Sequence, residues 1–170
     1  MADTDIIYKV TVLSLLKRAD LPLKNRQVVD FFLDYNLTDY FHAQAIIGDL
    51  LDSGLIREDK THNATVYHLS EDGENAYESM KEKLTAGISD DIKAYLSDNG
   101  GQMKKENSVT SRYRTAPSGG YDVILKATEE DREIISLTVN VPDKAEAEAL
   151  CYNWKVRYTE TYLSLIEMLK

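Results

Sequence analysis

Residues 38–74 read TDYFHAQAIIGDLLDSGLIREDKTHNATVYHLSEDGE, and the spacing of the apolar residues changes within this stretch. Over 38–53 the apolar residues recur at helical spacing, and Gly54 follows at the position where a left-handed residue ends a helix. Over 55–69 the alternation has a period of two on either side of a polar run that suits a hairpin tip. Ser70 can then cap another helix, whose first turn is acidic. The stretch therefore predicts a helix, a two-stranded hairpin and a second helix.

The residues before this stretch predict two further helices. Apolar residues recur at helical spacing over 5–19 and again over 24–35. Pro22 separates the two segments, because proline cannot continue a helix and favours extended geometry before it, so a very short strand is expected at 20–23. The order helix, strand, helix, helix, hairpin, helix is typical of a winged helix-turn-helix domain, in which the third helix reads nucleic acid and the hairpin is the wing. We therefore predict such a domain over residues 1–86.

The second half of the chain predicts a different architecture. A connector helix is expected over 88–96, and the sequence Asp98-Asn99-Gly100-Gly101 is expected to end it in a hinge, which gives a connector and hinge over 87–101. Three β-compatible segments and an amphipathic helix of about 27 residues follow, and a sheet of this kind must pack on such a helix. The predicted fold class is α+β: an N-terminal winged helix-turn-helix domain, then a small antiparallel β-meander packed on a long C-terminal helix over residues 102–170.

Composition restricts the class of partner. The 170 residues carry 20 Lys and Arg against 29 Asp and Glu, a net charge of −9, so any contact with nucleic acid must depend on a local cluster of cations. The single cysteine, Cys151, excludes a disulfide within the chain and fits a reducing compartment. The first residues are acidic where a signal peptide would be basic, and no apolar run reaches the roughly 18 residues of a membrane helix. We therefore expect a cytoplasmic protein with no membrane partner.

Several local motifs resemble known families. The segments 46–51, 53–56 and 67–74, the last reading YHLSEDGE, resemble the PadR-like and MarR-like bacterial regulators of the winged-helix superfamily. This likeness covers about residues 6–84 and implies a DNA-binding regulator. More narrowly, DIIYK at 5–9, THN at 61–63 and the end of the chain resemble a bacterial family described as domain of unknown function 4364. That second resemblance spans nearly the whole chain and implies a fold, but it carries no activity.

The winged-helix interpretation assigns residues to a contact with double-stranded DNA. Gln44 has the amide that pairs with an adenine edge, and Arg57 or Lys60 can neutralise one phosphate each. The candidates lie on the third helix, in the wing and at the start of the second helix: Thr38, Tyr40, His42 and Gln44; Arg57, Lys60, Thr61, His62 and Asn63; Lys24, Asn25 and Arg26. The function predicted first is therefore a DNA-binding transcriptional regulator.

The charge of the third helix supports an alternative. That helix contains Asp39, Asp49 and Asp52 and no lysine or arginine, and residues 1–86 hold 9 basic against 15 acidic side chains. Because counterion release by clustered cations supplies most of the affinity for DNA, this balance is unfavourable for a duplex. The alternative is a winged-helix protein–protein interaction module that does not bind DNA.

The sequence does not indicate an enzyme. The three histidines have no cysteine or histidine at metal-ligand spacing, and no phosphate-binding glycine loop, zinc-protease helix or nucleophile elbow occurs. We therefore predict no catalytic residues, no metal and no cofactor.

The last helix offers two further hypotheses. Trp154, Tyr158 and Tyr162 recur every four residues on one face, which predicts either a pocket for a small-molecule effector or ordinary core packing. The remaining apolar positions of the helix could pair with a second subunit, so a homodimer is expected. These positions are Leu163, Ile166 and Met168.

Overall fold

The computed structural model describes residues 2–60, 64–130 and 132–170, and these form two compact units. The first unit comprises the described residues up to Met103, and the second comprises those from Lys104 onward. Over the described residues the chain forms six α-helices and two three-stranded antiparallel sheets, so the fold is mixed α+β.

The first unit contains the predicted succession of helices and hairpin. Asp39 caps the third helix by accepting a hydrogen bond from the backbone N–H of His42, and Gly54 ends it with φ of +72°. Ser70 caps the fourth helix by accepting from the N–H of Gly73. The elements are α1 (Ala2–Ala19), β1 (Leu23–Lys24), α2 (Asn25–Asp34), α3 (Tyr40–Asp52), β2 (Ile56–Lys60), β3 (Thr65–Leu69), α4 (Glu71–Met80), a 3-10 turn (Lys81–Lys83) and α5 (Ala86–Asn107).

The small sheet of this unit places β3 between β1 and β2. β2 and β3 form the predicted hairpin, with Ile56 opposite Leu69, and the two-residue strand β1 pairs with the other edge of β3, with Leu23 opposite Tyr67. Five elements of this unit contribute fully buried residues to its core. These are Val12, Leu13 and Leu15 of α1, Leu23 of β1, Phe31 and Phe32 of α2, Ile46, Ile47 and Leu50 of α3, and Ile56 of β2.

The predicted hinge at 98–101 is wrong. α5 continues through Gly100 and Gly101 and ends at Asn107, so the strand expected from residue 102 begins only at Val109. Ile92, Tyr95 and Met103 are buried in the first core, so most of α5 belongs to the first unit instead of forming a separate connector. Two glycines cost a helix about 1 kcal/mol each, and the burial of Met103 beyond them favours helix over a turn.

The second unit is the predicted β-meander with a long helix. Its strands pair in sequence order as β4, β5 and β6, and Gly119 and Gly120 take positive φ in the first turn. Asp143 caps the helix by accepting from the N–H of Glu146. The elements are β4 (Val109–Thr115), β5 (Tyr121–Glu129), β6 (Arg132–Val141) and α6 (Lys144–Leu169).

Alternation along β5 forms the second core. Val123, Leu125 and Ala127 alternate along this strand, are buried and pack with the inner side of α6. From the helix, Cys151 and Trp154 complete this cluster. The sheet therefore packs on one face of α6 and leaves the other face of the helix exposed.

Candidate functional site

A polar network joins the start of α2 to α3. The side-chain amides of Asn25 and Gln44 bond each other reciprocally, at 3.0 Å and 2.8 Å. Asn25 Nδ2 also donates to the hydroxyl of Tyr67 at 2.8 Å, and Gln44 Nε2 donates to the hydroxyl of Tyr40 at 3.2 Å. Both amide donors of Gln44 are therefore in use, so a contact with an adenine edge requires Gln44 to break one of these bonds.

His42 connects the start of α3 to α1. Its Nε2 lies 2.8 Å from Asp5 Oδ1, and its Nδ1 lies 2.8 Å from Thr38 Oγ1. The ring of Tyr8 meets the imidazole edge to face, with centroids 5.5 Å apart. Although an acid, an imidazole and a hydroxyl also occur in this order in nucleophilic triads, here they tie α3 to α1, and we assign them a structural role. Both ring nitrogens of His42 and the hydroxyl of Thr38 are thus engaged within the unit.

Two exposed aromatic residues lie at the start of α3, and the second of them, Phe41, is on the outer face of this helix, the side opposite its buried residues. Phe41 is 82% exposed and Tyr40 is 50% exposed, and their rings meet edge to face at 5.6 Å. Phe41 was missed as a candidate by the sequence reasoning. Its exposure could have been predicted from its position in the helix. The buried residues of α3 begin at Ala43 and recur at 46, 47 and 50, and helical periodicity then places residue 41 on the opposite side. Large apolar side chains exposed in this way mark interaction surfaces when they cluster.

The same face is acidic. Asp49 and Asp52 are exposed near the end of α3, and α3 itself contains no lysine or arginine. Lys9 of α1 reaches Asp49 at 3.2 Å, and both side chains of this ion pair are partly exposed. The outer face of α3 therefore combines aromatic surface with carboxylates, one of which has a cation beside it.

The predicted wing carries two of the candidate cations. Arg57 and Lys60 are exposed on β2, and Lys60 Nζ lies 3.3 Å from Glu58 Oε1. The three other wing candidates, Thr61, His62 and Asn63, lie outside the described residues.

The start of α2 carries the remaining candidates. Arg26 is exposed and lies 3.9 Å from Asp30, one helical turn away. The backbone N–H of Lys24 donates to Gln27 Oε1 at 2.8 Å, so this N–H is used in capping the helix. At this terminus Arg26 is thus the cation that points to solvent beside an acidic neighbour.

The aromatic residues proposed for an effector pocket lie mainly in the second core. Trp154 is buried, and its indole N–H donates to the carbonyl oxygen of Lys126 at 3.0 Å. Tyr158 is partly buried beside it, with ring centroids 6.4 Å apart, and Tyr162 is partly exposed farther along α6. This arrangement favours core packing, the alternative to an effector pocket.

Cys151 has no feature of a nucleophile. It is fully buried, and burial raises the pKa of its thiol, against a smaller opposing effect of the Ser111 hydroxyl. Within the described ranges, no three His, Cys, Asp or Glu side chains lie close enough together to hold a metal ion.

Two findings concern the chain beyond any single site: the character of its helices and its similarity to known proteins. None of the helices in the described part combines the length and the apolar composition needed to cross a bilayer. No curated protein and no solved structure shows significant similarity to the chain. The family described as Domain of unknown function (DUF4364) matches residues 8–169. The chain therefore belongs to the DUF4364 family, which agrees with the second of the two resemblances noted in the sequence.

Proposed function

We propose that the first unit is a winged-helix domain and that the outer face of α3 binds a protein partner instead of duplex DNA. The order α1-β1-α2-α3-β2-β3 and a sheet in which β3 lies between β1 and β2 support the winged-helix assignment. The observation that carries the choice of partner is Phe41, which is 82% exposed at the start of α3.

The aromatic residues favour a protein partner because they gain most from a dry contact. Burying one phenylalanine contributes roughly 1.5–3 kcal/mol, and aromatic side chains are enriched where protein interfaces have their strongest contacts. Tyr40 lies against Phe41, so the two rings form one apolar surface at the start of the helix.

The carboxylates favour a partner with cations. Asp49 and Asp52 repel phosphates, whereas lysine or arginine on a protein partner would pair with them. We therefore specify the partner as a protein segment that presents an apolar side chain flanked by Lys or Arg.

A DNA-binding transcriptional regulator is the second candidate function. It is favoured by Arg26, Arg57 and Lys60, three exposed cations on α2 and the hairpin. Such a regulator would bind through contacts of these cations with the DNA phosphates, and Gln44 would have to release Asn25 or Tyr40 before reading a base.

Binding of a fluorescent duplex of random sequence separates the two functions. At about 50 mM salt, where contacts to phosphate are strong, we expect no binding by the wild-type protein and measurable binding by the double variant Asp49→Lys/Asp52→Lys. The matched control, Asp90→Lys/Asp98→Lys, changes the net charge equally on α5 and should bind at least ten times more weakly. Tight wild-type binding that falls steeply with salt and is lost in Arg57→Ala/Lys60→Ala would instead establish the regulator.

Site-specific crosslinking tests the protein partner directly. A photoreactive phenylalanine analogue at position 41, incorporated in the native cell, should give a discrete adduct with one protein. Asp49→Lys/Asp52→Lys should abolish this adduct, and the control pair on α5 should retain it. An adduct with nucleic acid, or protein adducts that ignore the charge reversal, would refute the proposal.

A further inference from the structure

α6 has two apolar sides, and the sheet covers only one. Ala147, Cys151 and Trp154 face the second core. On the opposite side, Tyr152, Val156, Leu163 and Ile166 are between 42% and 79% exposed. A second apolar stripe exposed to water on a helix is typical of a surface that another protein chain covers.

The spacing of this stripe is that of a coiled coil. Tyr152, Val156, Thr159, Leu163 and Ile166 follow one another at intervals of four, three, four and three residues, and we call these five residues the outer seam. In heptad terms Val156 and Leu163 take position a, and the other three take position d. The seam covers about 21 Å of helix at 1.5 Å per residue.

Met168 does not belong to the outer seam. It is exposed, but it lies two residues after Ile166, and two helical residues turn through about 200°, which moves it to another side of the helix. Of the three residues predicted from the sequence to form a dimer contact, Leu163 and Ile166 therefore belong to the outer seam and Met168 does not.

We propose that the outer seam pairs with the outer seam of a second copy of this chain as a parallel two-stranded coiled coil. A seam of this kind is self-complementary, since a twofold axis brings each a and d residue opposite its own equivalent.

The flanking charges support a second copy and a parallel direction. Lys155 takes position g and Glu160 takes position e of the next heptad, and both are exposed. In a parallel pair position g of one helix meets position e of the following heptad on the other, so Lys155 meets Glu160 of the partner subunit, and symmetry forms this pair twice. An antiparallel pair sets e beside e, which offers Glu160 another glutamate or Asn153 instead of a lysine.

The internal neighbour of Glu160 is compatible with this pairing. Arg157 Nε lies 3.5 Å from Glu160 Oε2 on the same helix, and both side chains are mostly exposed. A carboxylate accepts several hydrogen bonds, so Glu160 can hold Arg157 and a lysine from a second subunit together.

The oligomeric state of the full chain tests the proposal. Light scattering and sedimentation equilibrium from about 1 to 100 μM should show a dimer. Val156→Glu/Leu163→Glu should be monomeric, with an unchanged far-ultraviolet circular dichroism spectrum, because both positions are exposed in the single chain. Met168→Glu, an apolar-to-acidic change outside the outer seam, should remain dimeric. A wild-type monomer throughout this range, or a dimer that the double substitution leaves intact, overturns the proposal.

Charge reversal and disulfide trapping test the direction. Lys155→Glu should raise the dimer dissociation constant at least tenfold, and adding Glu160→Lys should restore it. Val156→Cys and Leu163→Cys should each form a disulfide between subunits, because in a parallel register every seam position meets its own copy, and Met168→Cys should not. Cys151 is buried, so the introduced thiol is the reactive one. Crosslinking at only one of the two seam positions, without charge restoration, indicates an antiparallel pair and refutes the parallel coil.

Discussion

Tyr95 shows how one buried phenol couples the first core to pH. Its ring packs against Phe31, and its hydroxyl donates to the backbone carbonyl of Gln27 at 2.8 Å. Burial, reinforced by Asp30 and Asp34, raises the pKa of Tyr95 from 10.0 to about 12. The phenol therefore stays neutral in the folded protein at a pH at which the unfolded chain has ionised.

The sign of the resulting pH dependence follows from this order. Because the folded pKa is the higher one, the contribution of Tyr95 to stability is complete below pH 10 and is lost as the pH rises towards 12. Between pH 9 and about 12, we expect the unfolding free energy of the wild-type protein to fall by on the order of 2 kcal/mol. The Tyr95→Phe variant has no phenol at this position and should not show this loss. Urea titrations across this range measure the difference, with Tyr40→Phe, which is half-exposed and lies outside the outer seam, as the control. A constant difference between wild type and Tyr95→Phe would contradict the assignment.

Single residues also show where sequence reasoning reaches its limit. The sequence identified Asn25 and Gln44 as polar and accessible from their helical positions. Their mutual hydrogen bonds depend on how α2 crosses α3, which no local pattern encodes. The pairing of His42 with Asp5, 37 residues earlier, has the same origin. Phe41 is the converse case, because its exposure follows from helical periodicity once the inward stripe of α3 is known.

Elements were predictable where local signals and packing agree. The hairpin of β2 and β3, the cap Ser70 and the left-handed Gly54 all follow from residue type and short-range spacing. For the cap of α3 the sequence allows Thr38 or Asp39, and the structure has Asp39. α5 is the exception, because the turn propensity of Asp98-Asn99-Gly100-Gly101 opposes the packing of Met103. Propensity is a weak preference of about 1 kcal/mol per glycine, and burial of a distant side chain overrides it.

Alanine substitutions test this account of α5. A Cβ on Gly100 would meet nothing within 4 Å, so Gly100→Ala should stabilise the protein by about 0.5–1 kcal/mol through helix propensity. Gly73→Ala is the counterpart in α4, where the added Cβ would lie 1.9 Å from the carbonyl oxygen of Leu55, and it should destabilise by about 2 kcal/mol or more. Urea unfolding measures both. A loss of stability in Gly100→Ala would mean that this segment turns as the sequence first suggested.

At the scale of the whole molecule, the two cores divide the chain into separate packing units. Leu50 is fully buried in the first core, and Leu125 is buried in the second. Trp154, the single tryptophan, also lies in the second core, so its fluorescence reports the second unit. Most helical residues belong to the first unit, so circular dichroism is weighted towards that unit.

Two truncations of leucine therefore have distinct effects on thermal unfolding. Each removes a buried side chain at a cost of about 2–5 kcal/mol. Leu50→Ala should lower the midpoint followed by far-ultraviolet circular dichroism and leave the tryptophan fluorescence transition in place. Leu125→Ala should lower the midpoint of the fluorescence transition. It should change the dichroism transition less, because in that signal only the contribution of α6 is affected. If the two cores unfold independently, each cavity lowers only the midpoint of the unit that contains it. If either substitution instead moves both transitions by the same amount, the two cores unfold as one cooperative unit.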